Sequence, residues 1–346
     1  MRFRLAFVGF GRVAQGFAKI LVEKRADLKR RFGFDYEVVA VADTIKGSVM
    51  SRRGLRLQKL LSLVQEKGSI KDYGEGRKGL SPVETIAQTD ANVLVETTWT
   101  NLEDGEPGLS HIRKALSKGL HVVTTNKGPI ALAYHELAAL ARRRGCHLRF
   151  EGTVLSGTPA ISLAKENLAG STINSIRGIL NGTTNYILDE MAAGKTYAQA
   201  LEKAQELGYA EADPSSDTEG WDSAAKITIL TNVLMAGRIK LTDVRREGIT
   251  GITVEDVRDA QATGKRIKLV AKACNDEGRI RAQVIPERLE ENDLLSHVSG
   301  VLNAMILSTD VQPEVAIVGP GAGGDSAGYA LLSDLLALNR ALNIKS

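Results

Sequence analysis

Short apolar runs alternate with longer stretches of helical periodicity through the first part of the chain. Residues 4–8 form an apolar run, and a helical pattern follows from about 12 to 31. A second run covers 37–42. Residues 48–80, punctuated by Gly54, Gly68, Gly74, Gly76 and Gly79, read as an insertion, either a surface loop or a mobile flap. A run at 92–95, a helix at 110–118, a run at 120–124, an Ala-, Leu- and Arg-rich helix at 134–144 and a run at 147–151 follow. Strands that alternate with helices predict a parallel sheet covered on both faces, an α/β domain over residues 1–150.

The pattern then changes. A strand at 173–180 leads into a helix through Met191, and Thr196 to Gln199 form a capping box for a helix to Leu207. From about Trp221, Ala225, Ile229 and Val233, with Leu230 and Leu234, recur at helical spacing. Thr253 caps a helix to about Ala262. Strands at 266–274, 279–286, 304–308 and 314–318 come with no helix between them, which predicts a largely antiparallel sheet. Residues 151–318 therefore read as an α+β domain whose sheet offers a dimer surface, so a homodimer is expected. A Gly-rich loop, Gly319 to Gly324, precedes a helix from 326 to 342. It cradles an anion or serves as a plain return loop.

Length and composition agree with two domains: 346 residues, 43% of them hydrophobic. A net charge of +4, with no interleaving of aromatic and basic residues, gives no sign of a nucleic-acid partner. There is no apolar run of about eighteen residues to span a membrane, and the start lacks the features of a signal peptide. Cys146 and Cys274 are the two cysteines and lie far apart, which predicts neither a disulfide framework nor a metal motif and makes the cytoplasm the expected compartment.

Three stretches carry chemistry. Gly9-Phe10-Gly11-Arg12-Val13-Ala14 fits G-x-G-x-x-A between a strand and a helix, the context a Rossmann-type dinucleotide site requires. Gly9 permits the turn, Gly11 admits the pyrophosphate, and Ala14 lets helix and strand pack; the plainer alternative is a Gly-rich connection. Asp43 ends the second strand, where an acid binds the ribose hydroxyls of NAD. Yet Lys46, Arg52, Arg53, Arg56 and Lys59 follow with no acid before Glu66. A basic run suits the 2′-phosphate of NADP, unless it is only a solvated face. The signals conflict; NADP is favoured over NAD. Thr98 and Asn126-Lys127 fall at strand ends, where ligands of such sheets sit.

The third stretch runs from Gly208 to Leu230. It carries Glu211, Asp213, Asp217, Glu219 and Asp222, with Glu206 just upstream, and then Lys226. Asp222 and Lys226 are four apart and share a helix face. An ordinary surface pair is the common outcome for such spacing. Here Ile227, Ile229 and Leu230 follow at once, so the helix is largely buried and its charges must be paired or used. An ammonium among carboxylates can hold a zwitterion and supply a proton.

This stretch resembles the substrate segment of homoserine dehydrogenases, as does Gly178-Ile179-Leu180-Asn181-Gly182-Thr183-Thr184-Asn185-Tyr186. Thr124-Thr125-Asn126-Lys127 is similar to the family's Thr-Ala-Asn-Lys, with Thr125 in place of Ala. The resemblance implies reversible reduction of L-aspartate 4-semialdehyde to L-homoserine by NADP- or NAD-linked hydride. It makes Lys226 the proton donor and Lys127 a second cation by the nicotinamide, the two ammoniums lowering each other's pKa. It gives Glu211 the substrate ammonium, with Asp217 or Asp222 assisting, and gives Asn181, Gly182, Thr183 and Tyr209 the amino-acid end. Thr98 would touch the nicotinamide. Gly321 or Gly323 would touch the cofactor, in a segment 319–346 that packs back onto the nucleotide domain. The resemblance also implies a monovalent cation such as Na⁺ on backbone carbonyls of Glu151, Val154, Ser156 and Thr158, although Ser156 and Thr158 depart from the usual small or aliphatic residues; a hinge without an ion is the alternative. A chain ending at Ser346 is expected to be a short form without a regulatory domain.

Two rivals remain at this stage. A semialdehyde dehydrogenase forming a thioester would need Cys146 or Cys274 as nucleophile. A non-catalytic NAD(P) sensor would not need the acidic segment and its lysine.

Overall fold

The computed structural model describes residues 2–343, and the chain divides into two compact units, Met1–Gly157 with Gly323–Ser346, and Thr158–Ala322. In the first unit the strands are β1 (Arg2–Val8), β2 (Asp35–Asp43), β3 (Gly47–Leu55), β4 (Arg77–Lys78), β5 (Val93–Glu96), β6 (His121–Thr124) and β7 (Leu148–Arg149). They form one sheet in the order β4-β3-β2-β1-β5-β6-β7. β2, β1, β5, β6 and β7 are parallel, and β3 and β4 add an antiparallel edge. The order reverses at β1, which has β2 on one side and β5 on the other. The crevice at the carboxyl ends of β1 and β5 is thus the switch point of a doubly wound sheet.

The first helix, Arg12–Phe32, buries Ala14, Phe17, Ala18, Leu21 and Leu28 along one face. It stops at Gly33, whose φ of 60° is left-handed; the Gly33 N–H caps the Lys29 carbonyl and the Phe34 N–H caps that of Leu28. Phe3, Phe7, Phe10 and Phe17 fill the space beneath it, and the rings of Phe7 and Phe17 stack at 5.6 Å. The last helix, Gly324–Asn343, adds Leu331, Leu335 and Leu338 to this same core. Glycines make that contact possible: a side chain at Gly328 would come within 2.6 Å of the Phe17 backbone nitrogen.

Two expectations are corrected here. Residues 48–80 are neither loop nor flap. They hold β3 and the helix Leu57–Lys67, and Val49, Leu55, Leu57, Leu60, Ile70 and Tyr73 are core residues scattered among the glycines and cations. The helix expected at 134–144 begins instead at Lys127, capped by the Asn126 side chain on the N–H of Gly128. Its Gly-Pro pair masks the start, but proline is tolerated in a first turn, where no intrahelical N–H is lost.

The second unit contains β8 (Ile173–Ile179), β9 (Arg245–Arg246), β10 (Lys265–Asp276), β11 (Arg279–Glu290), β12 (Leu302–Thr309) and β13 (Val315–Pro320). Their order is β13-β12-β8-β10-β11-β9, antiparallel except where β9 joins β11. β10 and β11 form a long hairpin whose two turn residues, Glu277 and Gly278, both have positive φ, 51° and 88°, the geometry that matches strand twist. The helices Gly182–Ala192 and Trp221–Leu234 pack on this sheet. Among the described residues, no helix is long and apolar enough to cross a membrane.

Candidate active site

The first unit presents a dinucleotide cradle. Gly9 follows β1 with φ of 83°, and a side chain there would meet the Thr97 carbonyl at 2.6 Å. Only glycine fits so close a crossing. Gly11 is the N-cap of the first helix, with no side-chain cap, no acid in the first turn, and open space where its side chain would be. Arg12 and Val13 begin the helix. Exposed N–H groups at a helix start, with room in front of them, fit a pyrophosphate. Phe10 is buried, and its N–H donates to Asp43 Oδ2 at 2.7 Å.

Asp43 is held from three sides. Its Oδ1 accepts the N–H groups of Ile45 at 2.9 Å and Lys46 at 2.8 Å. Burial pushes its pKa up, but the N–H donors of Lys46, Phe10 and Ile45 outweigh burial and hold the carboxyl below its ordinary range. The strand register places Arg52 and Arg53, expected at a 2′-phosphate, away from Asp43. Gly47 pairs with Asp43, Met50 with Ala40 and Leu55 with Val38, so both arginines fall in the bulge opposite Val39. At strand rise this is about 13 Å back along β2 from Asp43. The Arg52 carbonyl accepts from the Arg4 guanidinium at 2.9 Å.

At the end of β5, Glu96 is fully buried and gathers the residues around it. Its Oε1 accepts the Thr98 N–H at 3.0 Å and the Thr98 hydroxyl, and its Oε2 accepts the Thr124 hydroxyl at 2.9 Å. Asn126 Nδ2 reaches Thr98 Oγ1 at 3.3 Å, and Lys127 follows as the first residue of its helix. Sequence reasoning passed over Glu96. The available signal was a carboxylate closing a strand that is otherwise wholly apolar.

The second unit carries the acid–lysine cluster. Asp222 and Lys226 lie one turn apart on the helix Trp221–Leu234, only 5% and 6% exposed, with 2.7 Å between carboxylate and ammonium. Lys226 Nζ also donates to the Leu180 carbonyl at 2.5 Å, which ties it to the end of β8. Asn181 ends that connection. Its Oδ1 accepts the Thr184 N–H, and its Nδ2 donates to Asp217 at 2.6 Å and Asp222 at 2.9 Å. Burial, and then the charge of Asp222, raise the Asp217 pKa above its ordinary value. Gly182 opens the next helix, and the Thr183 hydroxyl donates to the Tyr209 carbonyl at 2.8 Å. The Tyr209 ring packs edge-on against Tyr186. Glu211 is exposed, and its carboxylate makes no hydrogen bond or ion pair among the described residues. Asp217, Asp222, Lys226, Asn181 and Thr183 therefore meet, while Glu211 extends beside them into solvent. A cluster of this kind can hold a cationic amino group and exchange a proton.

The segment after β7 turns sharply. Glu151 and Val154 are buried, Leu155 and Ser156 both have positive φ, 54° and 52°, and Ser156 Oγ is buried with no hydrogen-bond partner. A strained turn with an unpartnered buried oxygen suits a cation held by oxygen donors. Thr158 belongs to the second unit and donates to the Pro320 carbonyl at 3.1 Å. The two loop glycines part company. Gly321 packs on the Asn303 side chain in the second unit, and Gly323 lies in the first unit at the start of the last helix. Gly324, next to it, would place a side chain 3.4 Å from the Arg12 carbonyl oxygen.

The thiol rival finds no support at Cys146. Burial pushes the Cys146 thiol up, opposite to the shift of an activated nucleophile, and its Sγ contacts the Arg144 carbonyl.

A Rossmann-type cradle in one unit and a buried lysine among carboxylates in the other define an NAD(P)-dependent oxidoreductase. Comparison with known proteins gives the family. The family model for homoserine dehydrogenase matches residues 159–336, and that for the homoserine dehydrogenase NAD-binding domain matches residues 9–151. The NAD(+)-dependent homoserine dehydrogenase of Pseudomonas canavaninivorans is 41% identical over 99% of this chain and 98% of its own length. The homoserine dehydrogenase of Methanocaldococcus jannaschii is 41% identical over 96% of this chain and 97% of its own length. A hyperthermophilic archaeal homoserine dehydrogenase in complex with NADPH superposes with a TM-score of 0.84 at 30% identity, covering 99% of this chain and 98% of its own. The chain belongs to the homoserine dehydrogenase family. It is an oxidoreductase acting on a CH–OH group, interconverting L-homoserine and L-aspartate 4-semialdehyde with NAD(P), a step of amino-acid biosynthesis.

Proposed function

We propose that Lys226 is the acid–base group of this reaction and that the acids around it hold the amino-acid end of the substrate. The observation that carries the reading is the burial of Lys226 against Asp222, with Asn181 bridging Asp222 to Asp217. The bound coenzyme supplies or accepts the hydride at the carbon of the substrate. In reduction, Lys226 gives its proton to the aldehyde oxygen as that oxygen becomes an alkoxide. In oxidation, the neutral amine takes the proton from the homoserine hydroxyl. Asp222 orients the ammonium. Lys127 is a second cation for the developing negative charge. Glu211 and Asp217 take the α-ammonium, and Asn181, Gly182, Thr183 and Tyr209 contact the amino-acid end. Thr98, fixed through Glu96, contacts the nicotinamide, and Gly9, Phe10, Gly11, Arg12 and Val13 form the pyrophosphate turn, with Gly323 completing it.

For the coenzyme we propose a preference for NAD over NADP. The ionised carboxylate of Asp43 ends β2, where a 2′-phosphate would bring two further negative charges. The orphaned Ser156 hydroxyl supports the monovalent-cation reading for Glu151, Val154, Ser156 and Thr158. Val318, on the edge strand β13, and Val301, Leu302 and Val311 nearby in sequence are exposed apolar residues, which supports a homodimer through this sheet. Two free cysteines fit a reducing compartment, and we assign the cytoplasm.

The pH profile of kcat/KM for homoserine oxidation tests the central assignment. The native enzyme should show a rising limb as Lys226 deprotonates, and Lys226→Met should lose that limb. A limb that persists would give the proton to another group.

A further inference from the structure

Lys268 sits inside β10 between Ile267 and Leu269 and is 1% exposed. An ammonium so placed requires partners, and each of its three donors has one. Asn185 Oδ1 accepts at 2.8 Å, the Val298 carbonyl at 2.8 Å and Asp189 Oδ1 at 2.5 Å. Asp189 Oδ2 accepts the Gly300 N–H at 2.7 Å, and Asn185 Nδ2 donates to the carbonyls of Val298 at 3.1 Å and Gly300 at 2.9 Å. One ammonium thus joins two pieces of chain, the helix Gly182–Ala192 and the loop at 298–300.

Both pieces end at the same place. The helix begins at Asn181 and Gly182. The loop continues into Val301, whose carbonyl oxygen lies 2.5 Å from where a Gly182 side chain would start. That contact explains why position 182 is glycine. The turn Asn181-Gly182-Thr183 is therefore held from below by its helix and from the side by the loop, and Lys268 fastens the two together. Asn181 passes the placement on, because the side chain that caps the helix also donates to Asp217 and Asp222.

Stability alone does not call for this network. Replacing a buried ion pair by apolar residues of similar volume is often neutral or stabilising. What apolar packing cannot supply is direction. We infer that Lys268, with Asp189, is a positioning residue for substrate binding: it sets the Asn181-Gly182-Thr183 turn against the acid pair. The inference rests on the reading of that turn as the seat of the amino-acid end.

The test compares Lys268→Met, the charge-neutral double variant Lys268→Met with Asp189→Leu, and Asn181→Ala. Each is assayed for Tm and for the KM of homoserine and of the coenzyme. The single and double variants should raise the homoserine KM about tenfold, with coenzyme KM unchanged, a loss of ground-state binding. The double variant should recover the native Tm but not the native KM. Recovery of both, or a parallel rise of both KM values, makes Lys268 a purely structural charge and overturns the inference. If Lys268→Met does not fold, the double variant decides alone, and a native homoserine KM there overturns it. Asn181→Ala separates the premises. An unchanged homoserine KM there removes the substrate-turn reading and this inference with it. A raised KM there, beside a native KM in the double variant, overturns the role of Lys268 alone.

Discussion

The Lys226 ammonium lies 2.7 Å from the Asp222 carboxylate, one helical turn away on a face closed to solvent. A second contact, to the Leu180 carbonyl, fixes where the ammonium points. If Lys226 is the proton donor, as proposed, its loss acts mainly on the chemical step. Lys226→Ala should lower kcat by roughly 10²–10⁴-fold, the usual size of an acid–base contribution. Coenzyme Kd, followed by nicotinamide fluorescence, should not move. Lys226→Arg should not rescue turnover, because a guanidinium does not give up its proton in this pH range. A matching loss of coenzyme affinity would assign Lys226 to the nucleotide site instead.

Asp43 should set coenzyme choice. Its carboxylate already accepts three backbone N–H groups, which keep it ionised at the end of β2. Asp43→Asn removes the charge while retaining an acceptor for the turn. The ratio of kcat/KM with NADP to that with NAD should rise about tenfold, equivalent to about 1.4 kcal/mol of relieved repulsion. Titrating both coenzymes against native and variant enzyme reads this directly. An unchanged ratio would return the choice to the basic residues after β2.

Much of this was legible in the residues, for physical reasons. The glycine turn after β1 announced itself because Gly9 and Gly11 serve backbone needs that other side chains cannot meet. Asp222 and Lys226 stood out because charges four apart on an apolar helix must pair. The edge of the first sheet was hidden. Its core residues Val49, Leu55, Leu57 and Leu60 alternate with glycines and cations, so no period emerged, and the antiparallel course of β3 carried Arg52 and Arg53 away from the ribose end. Glu96 and Lys268 were also missed. A lone charge inside or closing an apolar strand gives no periodic signal, and its partners, such as Thr124 for Glu96 and Asp189 for Lys268, lie far off in sequence.

Glu211 offers a different kind of contact. Its carboxylate is exposed and bears no protein partner among the described residues, so its charge is available to a ligand. Glu211→Gln keeps the shape and removes the charge. The homoserine KM should rise about tenfold with kcat nearly unchanged, the pattern of an interaction equal in ground and transition states. A fall in kcat at constant KM would move Glu211 from binding into the chemical step.

Asp217 makes the fold sensitive to pH in a defined direction. Burial and the neighbouring Asp222 raise its folded pKa above the value of about 3.9 for a carboxyl in an unfolded chain. Between those two values the native state holds a proton that the unfolded state has released. Its contribution to stability is therefore complete below the unfolded pKa and is lost as pH rises through the folded one. Asp217→Asn remains uncharged and escapes that loss. Relative to the variant, the native Tm should fall as pH climbs from about 4 toward neutrality, and the two should differ least in acid, where both side chains are neutral. Differential scanning fluorimetry across that range follows the gap. Parallel Tm curves would mean that Asp217 titrates at its ordinary value, with the Asn181 hydrogen bond and the Lys226 charge cancelling the effects of burial and of Asp222.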